Sequence, residues 1–464
     1  MKTDTIAAIA TAMSNSGIGI IRISGSEALL IADKIYRSKN ADKKLSDQKT
    51  HTIHYGFIYD GDDFIDEVIV LIMKGPHSYT AEDTVEIDCH GGIMVVNKIL
   101  ETVIKYGARI AEPGEFTKRA FLNGRIDLSE AEAVMDMIDS QNDFALKAGM
   151  KQLKGSVSKK VSELRAKILY EIAFIESALD DPEHISLDGY PEKLKGIVEE
   201  ILSELSRLIS SSDDGKMMKE GIKTVIVGKP NAGKSSFLNV LIGEEKAIVT
   251  SVAGTTRDVL EESIQLKGIG INLIDTAGIH DTEDEVEIIG VQKAEQYAKE
   301  ADLILYVVDT SIPLEESDLR IMEMIQDKPM IIVCNKLDLE QVVSQEELEN
   351  KCAQFGITNY EIMKISAKEN IGIENLEEIV EKMFFSKNIS MNDEVVITNM
   401  RHKEALQEAF DSMKQVKQSI LDDMPEDFYS IDLLGAYSSL GRILGEEIDD
   451  DVVNEIFAKF CMGK

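Results

Sequence analysis

The chain has 464 residues, 44% hydrophobic and 29% charged, a balance typical of globular proteins with room for roughly two to four domains. Its net charge of −34 at pH 7 excludes a surface coated in basic patches for nucleic acid. No apolar run is long enough to span a bilayer, the N-terminus lacks a secretion-signal pattern, and Cys89, Cys334, Cys352 and Cys461 show no CxxC spacing, so a reduced cytoplasmic protein with no membrane association and no zinc or disulfide framework is expected.

Residues 1–119 carry 14 basic and 17 acidic side chains, residues 120–386 carry 28 and 51, and residues 387–464 carry 8 and 16. An RNA contact is least penalised on the N-terminal region, unless a partner protein supplies the basic surface. That region alternates strand-like runs (Gly19 to Ile23, His51 to Tyr59, Glu67 to Met73, Thr84 to Ile87) with helical stretches at Ser26 to Ile35 and Ile93 to Ile104, which predicts an α+β domain over 1–119. From Leu128 the texture changes to long helix. Val157, Val161, Leu164, Ile168, Ile172, Ile175 and Leu179 step by three or four and mark one apolar face. Helical pattern returns at Arg401 to Leu421, Leu433 to Leu444 and Asp451 to Phe460. The expected fold is multidomain α/β and α: an N-terminal α+β domain, then a helical domain (120–217 and 387–464) interrupted by an inserted Ras-like P-loop domain at 218–386. The insertion points of that domain are expected near Asp213-Asp214-Gly215 and near Ser386 to Asp393.

The inserted segment holds five short motifs in a fixed order. Lys223 to Val227 is a buried-strand run. Gly228-Lys229-Pro230-Asn231-Ala232-Gly233-Lys234-Ser235 follows it and leads into a helix with Ser236, the strand–loop–helix context that a phosphate-binding loop requires. Its glycines let backbone N–H groups curl toward phosphate oxygens, Lys234 reaches the β- and γ-phosphates, and Ser235 offers a hydroxyl to Mg²⁺. In Gly254-Thr255-Thr256-Arg257-Asp258, reached through Thr250-Ser251-Val252-Ala253, Thr256 adds a second hydroxyl to Mg²⁺. Asp275-Thr276-Ala277-Gly278 ends the strand Ile271 to Ile274, with Asp275 holding Mg²⁺ through water and the Gly278 N–H sensing the γ-phosphate. After the strand Met330 to Val333 comes Asn335-Lys336-Leu337-Asp338. A carboxylate at Asp338 accepts from both N1–H and the 2-amino group of guanine, Asn335 bonds the base and ties loops together, and the Lys336 stem covers the ring. Ser366-Ala367-Lys368 supplies backbone contacts to the guanine oxygen. The set selects GTP over ATP.

The hydrolytic residues depart from the Ras pattern, because Ile279 follows Gly278 where a water-orienting Gln would stand. Asn231 is a candidate ligand for a monovalent cation that replaces an arginine finger, with carbonyls of the Thr250 to Thr255 loop completing the site. Glu287, in Glu283-Asp284-Glu285-Val286-Glu287, either positions the attacking water or belongs to a solvated acidic loop.

Toward its ends the chain carries Asp4-Thr5-Ile6-Ala7-Ala8-Ile9-Ala10, Gly17 to Gly25, Tyr79-Thr80-Ala81-Glu82-Asp83, His90-Gly91-Gly92, Pro113 to Thr117, Ala120 to Leu128 and Phe460-Cys461-Met462-Gly463-Lys464. Together these resemble the MnmE (TrmE) family of tRNA-modification GTPases, of the TrmE-Era-EngA-like group, over essentially the whole chain. The resemblance implies a homodimer whose G domains pair in a K⁺-dependent way. It also implies an MnmG-type FAD partner in a heterotetramer, and an aminomethyl or carboxymethylaminomethyl group installed on C5 of the wobble uridine of certain tRNAs. A 5-formyl- or methylene-tetrahydrofolate bound by the N-terminal domain would supply the one-carbon unit. By resemblance, Arg22, Glu86, Arg125 and Lys464 contact the folate, Asn231, Thr250, Val252 and Thr255 hold K⁺, and Ser235 and Thr256 hold Mg²⁺. Glu287 matches the catalytic glutamate. Cys461 matches a terminal cysteine implicated in modification, or is a small buried residue beside Phe460. Two positions depart from the family: Thr11 to Ser16 replaces a Pro/Gly-rich turn, and His280 stands where Arg is usual.

An Era-like ribosome-assembly GTPase, acting as an RNA-binding timer, shares all five motifs but needs a module such as a KH domain with its GxxG loop. The acidic, helical segment after residue 387 lacks that loop. A GTP-gated scaffold would not need the Arg22, Glu86, Arg125 and Lys464 set.

Overall fold

The computed structural model describes residues 4–39, 43–140, 142–244, 261–266, 269–274, 296–384, 395–446, 448–461 and 463. The chain divides into two compact units, one of Met1–Ile138, Gln152–Ile201 and Glu408–Lys464, the other of Asp139–Lys151 and Leu202–Gln407.

In the first unit, seven strands form one sheet: β1 (Ile6–Ile9), β2 (Ile18–Ser24), β3 (Tyr36–Arg37), β4 (Thr52–Asp60), β5 (Asp63–Met73), β6 (Thr84–His90) and β7 (Arg109–Ile110). Their order is β3-β4-β5-β6-β2-β1-β7, antiparallel except for the β1–β7 pair. The two-residue alternation of strands sends Ile21, Ile23, Val68, Val70, Val85 and Ile87 to one face, where they pack with Ile31, Ile35, Val96 and Ile99 of the helices Ala28–Ile35 and Ile93–Lys105. The other face carries Ile18, Ile53, Tyr55 and Ile69, which are 44 to 68% exposed. The same unit holds the helix Ser156–Asp180, packed against the helix Glu426–Leu444. Val157, Val161, Leu164, Ile168, Ile172 and Ile175 are buried as the periodicity predicts. In the last turn Ala178 is the buried residue and Leu179 is exposed, so the apolar stripe stops short of its expected end.

The second unit contains a six-stranded sheet of β8 (Ile222–Val227), β9 (Glu261–Leu266), β10 (Ile269–Ile274), β11 (Leu303–Asp309), β12 (Met330–Asn335) and β13 (Tyr360–Lys364), in the order β13-β12-β11-β8-β10-β9. All pairs are parallel except β9 with β10. Both faces are covered, one by Phe237, Leu241, Leu376 and Val380, the other by Met322, Ile325, Leu348 and Cys352. That explains why the parallel strands read as unbroken apolar runs. No described helix is long and apolar enough to cross a membrane.

The helix Tyr190–Glu220 runs continuously through Asp213-Asp214-Gly215, near one of the expected insertion points. Gly215 serves close packing and not a turn: a β-carbon there would lie 2.1 Å from the Ile397 carbonyl oxygen. Gly196, in the same helix, has open space around it. Gly215→Ala should therefore destabilise by about 1–3 kcal/mol through overpacking, whereas Gly196→Ala should stabilise by about 1 kcal/mol through helix propensity. Urea unfolding of the two variants measures this; equal shifts would remove the packing argument.

Candidate functional site

In a parallel sheet the strand ends leave loops at the carboxyl edge, where ligands bind. Here the loops after β8, β12 and β13 converge on a cavity of about 870 Å³, lined by residues including Asn231, Gly233, Lys234, Ser235, Ser236, Lys336, Asp338, Ala367 and Lys368. That volume suits a nucleotide-sized ligand. Asn231 adopts φ 62°, a left-handed conformation that Asn tolerates better than most residues. Gly233, at φ 100°, leaves room for the Asn335 amide nitrogen, which would lie 2.1 Å from any β-carbon placed there. Asn335 is buried, donates from Nδ2 to the Ala232 carbonyl at 2.8 Å, and accepts on Oδ1 from the Ala367 N–H at 3.0 Å. A single side chain thus ties three of the predicted motifs together.

The other motif residues are held as firmly. Lys234 donates to the carbonyls of Gly228 and Lys229, each at 2.8 Å, at the first turn of the helix Lys234–Glu244. Ser366 donates from Oγ to Asp338 Oδ1 at 2.6 Å, and that bond holds the Asp338 carboxyl below its ordinary pKa. Lys336 donates to Asp309 Oδ2 at 2.5 Å. Burial opposes ionisation of Asp309, but the hydrogen bonds from Lys336 and Ser311 outweigh it and lower the pKa. Of the expected cation ligands, Asn231 and Ser235 line the cavity, and their oxygen donors suit hard cations. Thr250, Ser251, Val252, Ala253, Gly254, Thr255, Thr256, Asp275, Thr276, Ala277, Gly278, Ile279, His280, Glu287 and Lys464 lie outside the described residues. Among the described residues, no group of three or more His, Cys, Asp or Glu is placed to hold a metal ion.

A second constellation lies in the first unit. Arg22 and Glu86 are cross-strand partners on β2 and β6, and Arg22 Nε donates to Glu86 Oε1 at 2.7 Å. Arg22 also donates to the Gly463 carbonyl at 3.0 Å. Its guanidinium lies 5.5 Å from the Tyr79 ring and 5.7 Å from the Phe116 ring, while that of Arg125 lies 4.9 Å from Tyr79. Two of the four folate positions named by resemblance therefore meet at one aromatic ring, and a third, Glu86, is held by Arg22. The surrounding segment is pinned by Arg119, which is 7% exposed and donates to Asp4, Glu82 and Glu115. Burial opposes ionisation of Glu115, yet Arg109 and Arg119 hold its pKa below the ordinary value. Cys461 is a free, exposed thiol and not the buried small residue that its neighbour Phe460 allowed; its carbonyl accepts from the Gly114 N–H at 3.3 Å.

Sequence reading missed Tyr79 and Phe116 as ring partners, and it missed Asp88. Asp88 shares a face of β6 with Glu86 and stands between Ile20 and Ile69. Its Oδ1 is buried without a hydrogen bond among the described residues, and burial followed by the Glu86 charge pushes its carboxyl above the ordinary pKa. The period of two along β6 was the available signal.

Comparison with known proteins identifies the family of the whole chain. The family model for the GTP-binding protein TrmE N-terminus matches residues 5–125, and the model for the MnmE helical domain matches residues 128–461. A protein of Lachnoclostridium phytofermentans named tRNA modification GTPase MnmE is 58% identical over 464 residues, covering 100% of both chains. Proteins of the same name from Clostridioides difficile and Thermoanaerobacter pseudethanolicus are each 46% identical, covering 99% and 100% of both chains respectively.

The Asn335 tie makes a direct prediction. Asn335→Ala removes two bonds to buried backbone groups, at about 1–3 kcal/mol, and should weaken guanine-nucleotide binding by roughly ten- to a hundredfold. Calorimetric titration with GDP measures it; unchanged affinity would show that the loops hold their places without this side chain.

Proposed function

The chain belongs to the MnmE family of tRNA modification GTPases and is a GTP hydrolase, and on that premise we propose that it couples GTP hydrolysis to modification of C5 of the wobble uridine in certain tRNAs. The observation that carries this reading is the meeting of Arg125 and the Glu86-paired Arg22 at the Tyr79 ring, in a chain that also holds a nucleotide-sized cavity. Two guanidiniums on an aromatic face, beside a carboxylate, complement a flat heterocycle with an anionic tail. Arg22, Arg125 and Lys464 would meet the glutamate carboxylates of a 5-formyl- or methylene-tetrahydrofolate, and Glu86 would accept from the pterin N–H groups. When bound, that group supplies the one-carbon unit. Cys461 offers an exposed thiol for the modification chemistry. An MnmG-type FAD protein is the proposed partner in a heterotetramer, and an aminomethyl or carboxymethylaminomethyl group the proposed product.

In the nucleotide unit, Asp338 and Asn335 recognise guanine with backbone help from Ser366, Ala367 and Lys368, while Ala232, Gly233, Lys234 and Ser236 cradle the phosphates. Ser235 and Thr256 would hold Mg²⁺, with Asp275 acting through water. Asn231 with Thr250, Val252 and Thr255 would hold K⁺, whose charge stands in for an arginine finger. Glu287 would orient the attacking water. The exposed apolar residues Ile18, Ile53, Tyr55 and Ile69 support self-association into a homodimer. The proposed domains remain 1–119, 120–217, 218–386 and 387–464, and the proposed compartment is the cytoplasm. The ribosome-assembly alternative is not pursued, because the MnmE helical family model covers the segment where an RNA-binding module would have to lie.

Nucleoside analysis of tRNA from a strain lacking this gene should show wobble uridines without the C5 group. Wild-type chain should restore it and Arg22→Ala should not; unchanged wobble uridines in the deletion strain would falsify the modification reading. GTP turnover should be markedly faster in K⁺ than in Na⁺, and Asn231→Ala should erase the difference. Equal wild-type rates in both salts would sink the cation argument.

A further inference from the structure

Lys229, the second residue of the phosphate-binding loop, does not line the nucleotide cavity. Its side chain is 9% exposed, and its ammonium lies 2.7 Å from Asp318 Oδ2 and 3.2 Å from Glu315 Oε2. Asp318 is buried more deeply still, with a side chain 1% exposed. Its Oδ2 also accepts from the Glu315 N–H at 2.8 Å, and its Oδ1 from the Tyr306 hydroxyl at 3.3 Å. Glu315 and Asp318 are the two halves of the capping box that starts the helix Glu316–Ile325. Burial opposes a charged Lys229, yet its bonds to Asp318 and Glu315 outweigh that and raise its pKa, so the ammonium stays charged in the interior.

The backbone of the same residue faces the opposite way in function. The Lys229 carbonyl accepts from the Lys234 ammonium at 2.8 Å and from the Ala232 N–H at 3.3 Å. One residue therefore joins a buried helix cap to the lysine that meets the phosphates. We propose that the Lys229–Asp318 pair is a positioning device for nucleotide binding: it fixes the Lys229 carbonyl, and through it the loop and Lys234, in the conformation that the phosphates encounter. A loop ordered at folding does not have to be ordered at binding, and that difference appears as affinity. GTP and GDP share the loop, so the device acts on both and leaves the chemical step alone.

The test uses the full-length protein, with steady-state GTP hydrolysis and GDP titration. Asp318→Asn and Lys229→Met should each raise KM for GTP and Kd for GDP by about tenfold, with kcat within about twofold of wild type. The double variant should be no worse than either single one, because both remove the same contact. Lys229→Arg, which keeps the charge, should stay near wild type. Tyr306→Phe removes another partner of Asp318 while leaving the lysine in place, so it should lower the melting temperature without moving KM. Wild-type KM and Kd in a folded Lys229→Met would overturn the proposal, as would a KM rise in Tyr306→Phe equal to that of Asp318→Asn. If Asp318→Asn does not fold, Lys229→Met decides, since Asp318 then keeps its Glu315 and Tyr306 partners.

Discussion

The nucleotide unit depends on one buried amide. Asn335 spends its donor on the phosphate-binding loop and its acceptor on the loop after β13, so the parts that meet phosphate and base share one reference point. A neutral amide suits this task, because it satisfies one carbonyl and one N–H without the desolvation cost of a buried charge. The constraint reaches back to Gly233, where any side chain would displace the amide. It also explains why Asp338, fixed by Ser366 at 2.6 Å, can keep its place beside a ring-sized cavity without being buried itself.

The first unit uses the opposite solution. Its organising group is a guanidinium, Arg22, with side-chain exposure of only 15%, paired to Glu86 across two strands and bordered by Tyr79 and Phe116. A planar cation with several donors can hold a carboxylate and a carbonyl at once and still present a face to an aromatic ring. The nearby Arg109–Arg119–Glu115 network repeats this logic away from the ligand positions. Charge is concentrated where geometry must be exact to the bond, and apolar packing does the rest.

Much of this was legible in the sequence for physical reasons. The runs Lys223 to Val227 and Met330 to Val333 announced buried parallel strands because both faces of that sheet are covered. The stripe from Val157 to Ile175 announced a helix buried on one side. What was not legible depends on contacts remote in sequence. Gly215 beside two aspartates carries no sign of close packing, and only the approach of Ile397 makes it a packing glycine. Lys229 reads as a loop charge until Asp318, on a separate helix, is seen to bury it. Tyr79 became a ring partner only once β2 and β6 aligned Arg22 beside it, and a one-residue register is invisible without the pairing.

The bond from Arg22 to the Gly463 carbonyl spans 441 residues of chain. At a synthesis rate of roughly 5–20 residues per second, the strand bearing Arg22 precedes its acceptor by about 20 to 90 seconds. Closing so long a loop adds little entropy beyond that of a moderately long one, so the delay is a matter of timing and not of stability. A polypeptide broken off before Phe460 keeps every described nucleotide loop yet leaves the Arg22 site unfinished. The unit that holds Arg22 is thus begun first and finished last, whereas the nucleotide unit ends at Gln407 and is synthesised before residue 463.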